Sequence, residues 1–177
     1  MIEPSHSLPE IVVKVGGSLF DRPDLGPMLQ RWLERRGGRC LLVPGGGPMA
    51  DVVRSYHRTH RLPEVDSHWL AIRAMSINAN LLETIVGGGA VVVDALAFCQ
   101  LDEDRPGSLP HTWRVTSDAI AARIAEVRGA KLVLLKSVEL PAGISWSEAA
   151  ERGLVDSFFG EVVERAALEV EWVNFRG

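Results

Sequence analysis

Residues 11–18 read IVVKVGGS, and residues 41–47 read LLVPGGG. Each stretch is an apolar run of strand length that ends in consecutive glycines. Continuous apolar runs rich in β-branched residues are typical of parallel strands that helices cover on both faces. Consecutive glycines allow backbone conformations and close approaches that other residues do not. The two stretches therefore predict buried parallel strands, each followed by a tight turn, with Lys14 inside the first strand.

Apolar periodicity predicts an alternation of strands and helices along the rest of the chain. Helices are predicted for the repeat from Leu25 to Leu33, for the repeat from Met49 to Tyr56, and for residues 68–86. A helix capped by Thr116 or Ser117 follows, and residues 145–167 are helical in two pieces. Strands are predicted at 11–15, 40–43, 90–94, 131–135 and 170–175. This order predicts an α/β fold, a three-layer α/β/α sandwich around a mostly parallel sheet.

The length of 177 residues favours one domain. The loop at 101–110, LDEDRPGSLP, contains two prolines and a glycine, and it predicts a boundary between a substrate-side N-lobe (1–100) and a nucleotide-side C-lobe (101–177). The two cysteines, Cys40 and Cys99, match no metal-binding or redox spacing. We interpret both as buried thiols.

The formal net charge is −4, and no long run of Lys or Arg occurs, which argues against nucleic-acid binding. No apolar stretch approaches the roughly 20 residues that span a bilayer. The first ten residues, MIEPSHSLPE, have neither a basic start nor an apolar core, and they predict no signal peptide. We therefore expect a cytoplasmic protein without nucleic-acid or membrane partners.

Glycines between a buried strand and a helix let successive backbone N–H groups point toward a bound anion. Two such turns after parallel strands would share the carboxyl edge of the sheet, where ligands bind in open α/β folds. Neither turn matches GxxxxGK[ST] or GxGxxG. Lys14 is either a lysine on an edge strand, with its ammonium in water, or a cation directed at phosphate oxygens. The second interpretation is favoured because nothing else in residues 11–15 indicates an edge strand.

Three segments resemble the amino acid kinase superfamily and keep its order. They are KVGGS at 14–18, VPGGGPMADVVR at 43–54 and TSDAIAARIAEVRGAKLVLLKSVEL at 116–140. Residues 67–82, 111–118 and 153–159 are similar to the small kinases of methanofuran biosynthesis, which phosphorylate an aminomethylfuran methyl phosphate. The resemblance implies an ATP-dependent small-molecule kinase that uses Mg²⁺ bound to ATP. No metal ligand is assigned to the chain itself.

The resemblance also implies roles for individual residues. Lys14 would lie along the transferred phosphoryl group, and Asp118 would orient the catalytic lysines. Asp118 has the alternative role of a helix N-cap, although Thr116 or Ser117 can already cap. The ATP phosphates would lie on Gly16, Gly17, Ser18 and Ser137. The acceptor would lie on Gly45, Gly46, Gly47 and Ser117.

The chain departs from the family after the strand that ends near 135. Members of the family carry a polar stretch of the T-D-x-x-G type there, whereas this chain has KSVEL at 136–140. They also carry a second catalytic lysine in a later segment, for which this chain, with its shortened C-lobe, offers no candidate. We hypothesise that Lys136 supplies the second cation. The equally weighted alternative is a solvated lysine at the end of a strand.

An acceptor that is itself a phosphate ester needs a cationic clamp, and arginine gives bidentate contacts to phosphate. We therefore assign Arg73, His111 and Arg114 to the acceptor, with His68 weighed beside them and a surface or packing role as the alternative. Trp113 is interpreted as a packing residue. The helix at 68–86 is apolar on more than one face, which predicts a homodimer through this helix. Two other functions stay open: a carboxylate kinase for an acylated amino acid, and a non-catalytic nucleotide- or anion-binding protein.

Overall fold

The structure is a computed structural model that describes residues 10–176. Residues 1–9, which carry most of the signal-peptide prediction, and Gly177 lie outside the described part. The elements in chain order are β1 (Glu10–Val15), a 3₁₀ turn (Gly17–Asp21), α1 (Leu25–Arg36), β2 (Arg39–Pro44), α2 (Gly47–His60), α3 (Glu64–Val86), β3 (Val91–Val92), α4 (Ala95–Asp102), α5 (Ser117–Arg128), β4 (Lys131–Lys136), α6 (Trp146–Glu151), α7 (Phe159–Arg165) and β5 (Val170–Asn174).

All five strands form one parallel sheet in the order β3-β2-β1-β4-β5. β1 is the central strand, and Lys14 lies in register with Val43 on one side and Leu134 on the other. The interpretation of Lys14 as a residue of an edge strand is therefore wrong. The carboxyl ends of β1, β2 and β4 lie at one edge of the sheet, and the glycine turns follow two of them.

Helices cover both faces of the sheet, which confirms the predicted three-layer α/β/α sandwich. Alternate strand residues such as Val12 and Leu134 face a core that includes residues of α4, α5, α6 and α7. The intervening residues, such as Val13 and Leu42, face a second core with α1. The long helix α3 contributes to both cores. Strands β4 and β5 come after the predicted lobe boundary in the chain, and they belong to the same sheet as β1.

The third strand is shorter than the sequence predicts. The strand covers Val91 and Val92, and Val93 donates one further hydrogen bond to the Leu42 carbonyl oxygen, whereas residues 90–94 were expected to form a strand. The Asp94 carboxylate accepts a hydrogen bond from the Leu96 N–H and begins α4, a helix that the sequence did not predict. A cap inside a continuous apolar run leaves no change of period, so periodicity cannot divide the strand from the helix.

Both cysteines are free in the described structure, with Cys40 buried and Cys99 partly buried. Burial raises the pKa of the Cys40 thiol, and it raises the pKa of the Cys99 thiol to about 12. Neither thiol is therefore an activated nucleophile. No helix within residues 10–176 is long and apolar enough to cross a membrane.

Candidate active site

Three ionisable side chains meet at the carboxyl edge of the sheet. Lys14 comes from β1, Lys136 from the end of β4, and Asp118 from the first turn of α5. The Nζ atom of Lys14 lies 2.8 Å from Asp118 Oδ1, and the Nζ atom of Lys136 lies 2.9 Å from the same oxygen. We call this group the lysine–aspartate centre. Lys136 is only 9% exposed, so it is not a solvated lysine at the end of a strand.

Burial makes the charges of this centre costly. Burial and the ammonium of Lys14 lower the pKa of Lys136 to about 8, although the carboxylate of Asp118 raises it. Burial alone would raise the pKa of Asp118, but the ammonium groups of Lys14 and Lys136 hold it below its usual value. When both lysines are protonated, two cations share one carboxylate. An anion that binds beside them would compensate the excess charge.

Lys136 is held by more than its ion pair. Its ammonium donates hydrogen bonds to Asp118 Oδ2 at 2.9 Å and to the carbonyl oxygen of Leu154 at 2.6 Å. The same nitrogen lies 5.3 Å from the centroid of the Trp172 ring, within the range of a cation–π contact. These contacts fix the ammonium next to Lys14 rather than in solvent.

The two glycine turns touch each other at this edge of the sheet. A Cβ atom on Gly17 would lie 2.4 Å from the Gly47 nitrogen, and a Cβ atom on Gly45 would lie 2.4 Å from the Gly17 nitrogen. Gly47 also has a φ of +48°, in the left-handed region. Glycine is therefore required here by the close approach of two backbones. Asn78 on α3 holds the second turn by donating to the carbonyl oxygens of Gly45 and Gly46.

Not every glycine N–H is free for a ligand. The Gly16 N–H donates to the carbonyl oxygen of Leu135 at 2.9 Å, and the Gly45 N–H donates to that of Val15 at 2.8 Å. The expectation that Gly16 supplies an N–H to phosphate is therefore corrected: the fold itself uses this donor. The hydroxyl of Ser18 donates to that of Ser137 at 2.9 Å, so the two serines assigned to the nucleotide are in contact.

A cavity of about 230 Å³ opens beside the lysine–aspartate centre. Its lining includes Lys14, Gly17, Ser18, Gly46, Gly47, Asp51, Arg54, His68, Met75, Trp113, Thr116, Ser117 and Asp118. The cavity thus connects the first glycine turn, the second turn and the first two turns of α2. It has cationic groups at Lys14 and Arg54 and an apolar side at Met75.

Three residues assigned to the acceptor do not line this cavity. Arg73 is exposed on α3, and Arg114 is exposed and paired with Glu161 at 2.7 Å. His111 stacks on His68 with ring centroids 5.5 Å apart. Of the two histidines, only His68 lines the cavity. The geometry therefore gives no support to Arg73, His111 and Arg114 as a phosphate clamp.

Arg54 and Trp113 form a wall of the cavity that the sequence did not indicate. The Arg54 guanidinium lies 5.7 Å from the Trp113 ring centroid and 2.6 Å from the Asp51 carboxylate. His57 contacts the same ring, with centroids 5.5 Å apart. Arg54 ends the segment VPGGGPMADVVR, and it lies seven residues after Gly47, about two helical turns, on the same face of α2. That spacing is the signal that could have indicated Arg54, whereas Trp113 lies in a loop without periodicity.

Comparison with known proteins gives related sequences and related structures. No protein-family model matches the sequence. The chain is 25% identical over 139 residues to the [5-(aminomethyl)furan-3-yl]methyl phosphate kinase of Methanocaldococcus jannaschii, covering 70% of this chain and 63% of that protein. It is 30% identical over 139 residues to the uridylate kinase of Methanospirillum hungatei, covering 72% of this chain and 58% of that protein. The chain thus spans less than two thirds of the length of these two relatives.

Two solved structures share the fold over 94% of this chain and 90% of their own. The uridylate kinase of Archaeoglobus fulgidus superposes with a TM-score of 0.63 at 18% identity. The UMP kinase of Ureaplasma parvum superposes with a TM-score of 0.61 at 12% identity. UMP kinases have the α/β fold predicted from the sequence, with a mostly parallel sheet between helical layers. The related sequences are those of kinases, and the solved structures that share the fold are UMP kinases, which belong to the amino acid kinase superfamily.

Proposed function

We propose that the protein is an ATP-dependent phosphotransferase that transfers the γ-phosphoryl group of ATP to an anionic oxygen of a small acceptor. One observation carries the proposal: Lys14 and Lys136 are buried on a single carboxylate beside two touching glycine turns. Phosphoryl transfer between anionic oxygens requires alignment and charge neutralisation more than covalent chemistry. A pair of buried cations next to anion-binding turns supplies both.

Each turn would take one substrate. The phosphates of ATP would lie on the Gly17 and Ser18 side, and the acceptor phosphate on the Gly46–Gly47 side. The second position is the N-terminus of α2, a helix of 14 residues whose dipole favours an anion there. Lys14 lies on the central strand between the turns. Its ammonium and that of Lys136 would stabilise the charge of the transition state, and Asp118 would hold both ammonium groups in place.

Mg²⁺ would enter bound to the phosphates of ATP, whose charge it neutralises. Within residues 10–176, no group of three His, Cys, Asp or Glu side chains is arranged to hold a metal ion. The only acidic side chain of the lysine–aspartate centre, Asp118, is engaged by two ammonium groups. An acceptor phosphate is already ionised near neutral pH, so the reaction requires no general base.

The acceptor that fits best is a small phosphate ester with a flat ring, which the reaction converts to a diphosphate. The cavity of about 230 Å³ is smaller than the pockets of about 300–1,000 Å³ that enclose drug-sized ligands. Trp113 and Met75 offer apolar and aromatic surface, while Arg54 offers a cation away from the transfer site. An aminomethylfuran methyl phosphate has this form, and a relative is named for that substrate. UMP is the second acceptor, because another relative is a uridylate kinase.

A homodimer through α2 and α3 belongs to the same proposal. These helices expose seven large hydrophobic side chains: Met49, Val52, Tyr56, Val65, Leu70, Ile77 and Leu81. Ile77 is 57% exposed, although α3 packs against three other helices. Exposed apolar surface of this kind marks an interface. Light scattering should give twice the mass of the chain, and Ile77→Asp should give the mass of a monomer; a monomeric wild-type protein would contradict the proposal.

The test measures ADP release with ATP, Mg²⁺ and three acceptors: the aminomethylfuran methyl phosphate, UMP and an acylated amino acid. We expect turnover with the furan phosphate, a diphosphate signal in the ³¹P NMR spectrum of the product, and loss of turnover in Lys14→Met. Thermal stabilisation by ATP is measured in parallel, since a ligand at 100 times its dissociation constant adds about 2.7 kcal/mol to the free energy of unfolding. Stabilisation without ADP release on any acceptor would instead indicate a non-catalytic nucleotide-binding protein. Turnover with the acylated amino acid alone would indicate a carboxylate kinase.

A further inference from the structure

The loop between α6 and α7 touches the lysine–aspartate centre from outside the cavity. The carbonyl oxygen of Leu154 accepts a hydrogen bond of 2.6 Å from the Lys136 ammonium. Two residues later, the Asp156 carboxylate contacts the start of α5, the helix that carries Asp118. Neither residue belongs to the lining of the cavity. The loop therefore reaches both Lys136 and the helix of Asp118 without reaching the substrate space.

Asp156 acts as the N-terminal cap of α5 from a distant part of the chain. Its Oδ2 atom accepts hydrogen bonds from the Thr116 N–H at 3.0 Å, the Thr116 hydroxyl at 2.8 Å and the Ala119 N–H at 2.9 Å. Thr116 is the residue at the N-cap position, yet its side chain makes no capping hydrogen bond of its own. The first N–H groups of a helix need acceptors from outside the helix. A carboxylate 37 residues beyond Ala119 supplies one here.

The three hydrogen bonds come from residues on both sides of Asp118 in the sequence. Thr116 lies two residues before Asp118, and Ala119 lies one residue after it. The backbone that carries Asp118 is thus fixed on both sides by one oxygen atom. Asp156 makes these contacts while partly buried. Burial and the nearby Asp118 carboxylate raise the pKa of Asp156.

We propose that Leu154 and Asp156 are positioning residues that set the distance between Asp118 and Lys136 for phosphoryl transfer. Asp156 fixes the first turn of α5 and thereby the Asp118 carboxylate, while the Leu154 carbonyl fixes the Lys136 ammonium. Because Val155 alone separates them, both atoms belong to one short stretch of backbone. The inference rests on the proposed kinase function for its activity measurement, but the geometry of the centre can be tested without turnover.

Two substitutions separate positioning from charge. Asp156→Asn and Asp156→Ala both remove the negative charge, but only the asparagine keeps an oxygen that accepts from the N–H groups of Thr116 and Ala119. We expect kcat to fall about 10-fold in Asp156→Asn and about 100-fold in Asp156→Ala, because small displacements of catalytic groups have effects of this size. The KM for the acceptor, which α2 would bind, should stay within about twofold. Equal losses of kcat in the two variants would overturn the proposal.

Glu148→Gln is the matched control for capping. Glu148 accepts from the Ser145 N–H and hydroxyl at the start of α6, and it does not touch the lysine–aspartate centre. This variant should lose a little stability and keep the wild-type kcat. If its kcat falls as far as that of Asp156→Asn, the effect comes from general loosening of the fold and the proposal is wrong. A wild-type kcat in both Asp156 variants also overturns it.

NMR of lysine side chains provides a measurement independent of turnover. The chain has three lysines, Lys14, Lys131 and Lys136, so ¹³C-labelled lysine gives three sets of side-chain signals. We expect both Asp156 variants to shift the signals of Lys14 and Lys136, with the larger shift in Asp156→Ala, and to leave Lys131 unchanged. If the wild-type protein turns over no acceptor, the proposed function fails while this measurement still decides the positioning role. Unchanged Lys14 and Lys136 signals in both variants would refute it.

Discussion

Raising the pH from about 7 to about 9 should neutralise Lys136 while the fold stays intact. Burial and Lys14 lower the pKa of this lysine to about 8, compared with 10.5 for an ordinary lysine. The protonated fraction of Lys136 is then about 90% at pH 7, about 50% at pH 8 and about 10% at pH 9. The lysine–aspartate centre would lose its second cation over this range. We therefore expect kcat/KM for ATP to fall above a pH of about 8.

Binding of ATP should oppose this loss of charge. The phosphates favour the protonated form of Lys136, so this lysine takes up a proton from solution when the nucleotide binds at a pH where it is neutral in the free protein. If binding protonates Lys136 fully, the uptake is about 0.1 proton at pH 7, about 0.5 at pH 8 and about 0.9 at pH 9. Isothermal titration calorimetry in buffers with different ionisation enthalpies measures this number directly. NMR of the three lysines should show Lys136 titrating near 8 in the free protein.

The control variants separate Lys136 from every other titrating group. Lys136→Met should abolish the proton uptake and the fall of nucleotide affinity with pH. Lys131→Met should retain both, because Lys131 is exposed and pairs with Glu169 on the surface. Proton uptake that survives in Lys136→Met, or a Lys136 signal that titrates near 10.5, would refute the reasoning.

Three further predictions concern residues around the centre. Asp118→Asn should lower kcat by at least about 100-fold, since both ammonium groups lose the carboxylate that holds them. The pKa of Lys136, followed by NMR, should then fall below 8. An unchanged kcat would contradict the role of Asp118. Gly17→Ala places a Cβ atom 2.4 Å from the Gly47 nitrogen, and should cost about 1–3 kcal/mol of unfolding free energy in urea. Gly89→Ala is its control, because the nearest atom to the added Cβ lies at an ordinary 3.7 Å; equal losses would show that the turns do not need to touch. Arg54→Ala should raise the KM for the acceptor about 10-fold without changing the KM for ATP, whereas Arg58→Ala, on the same helix but outside the cavity lining, should change neither.

The sequence predicted the strands and the helix that carry the lysine–aspartate centre, because their local patterns are clear. Each of Lys14 and Lys136 lies within or at the end of an apolar run that had to be a buried strand, and Asp118 opens the helix before one of them. Parallel strands bring their carboxyl ends to one edge, which places Lys14 and Lys136 on the same side of the sheet. The glycine turns were predicted for the same reason. Their mutual contact follows from the register of β1 and β2. The role of Asp118 came from the resemblance to the amino acid kinase superfamily, and Lys136 was a hypothesis with an equally weighted alternative.

The parts that the sequence did not indicate depend on contacts between loops. Trp113 faces the cavity because its loop packs on α2 and α3, where the Glu64 carboxylate accepts a hydrogen bond from the Trp113 backbone N–H. Arg114, the next residue, points away and pairs with Glu161. One position in a loop thus separates a wall residue from a surface residue, and no period in the sequence records the difference. The cap of α5 by Asp156 is hidden in the same way, because local rules place the cap on Thr116.

The lowered pKa of Lys136 also explains why one aspartate is enough for two lysines. A second carboxylate in contact with these ammonium groups would stabilise both of them in the free protein, and a phosphate would then gain little by binding near them. The nearby Asp156 carboxylate instead accepts hydrogen bonds from Thr116 and Ala119. With a single carboxylate in contact with them, the positive charges of the two ammonium groups are only partly balanced in the free protein. The pKa of Lys136 accordingly falls to about 8. Negative charge on the proposed substrates would relieve this cost. Interactions that are stronger in the transition state than in the free protein are those that accelerate a reaction. The same deficit of negative charge makes the position of Asp118 critical, because its one carboxylate must serve Lys14 and Lys136 at once.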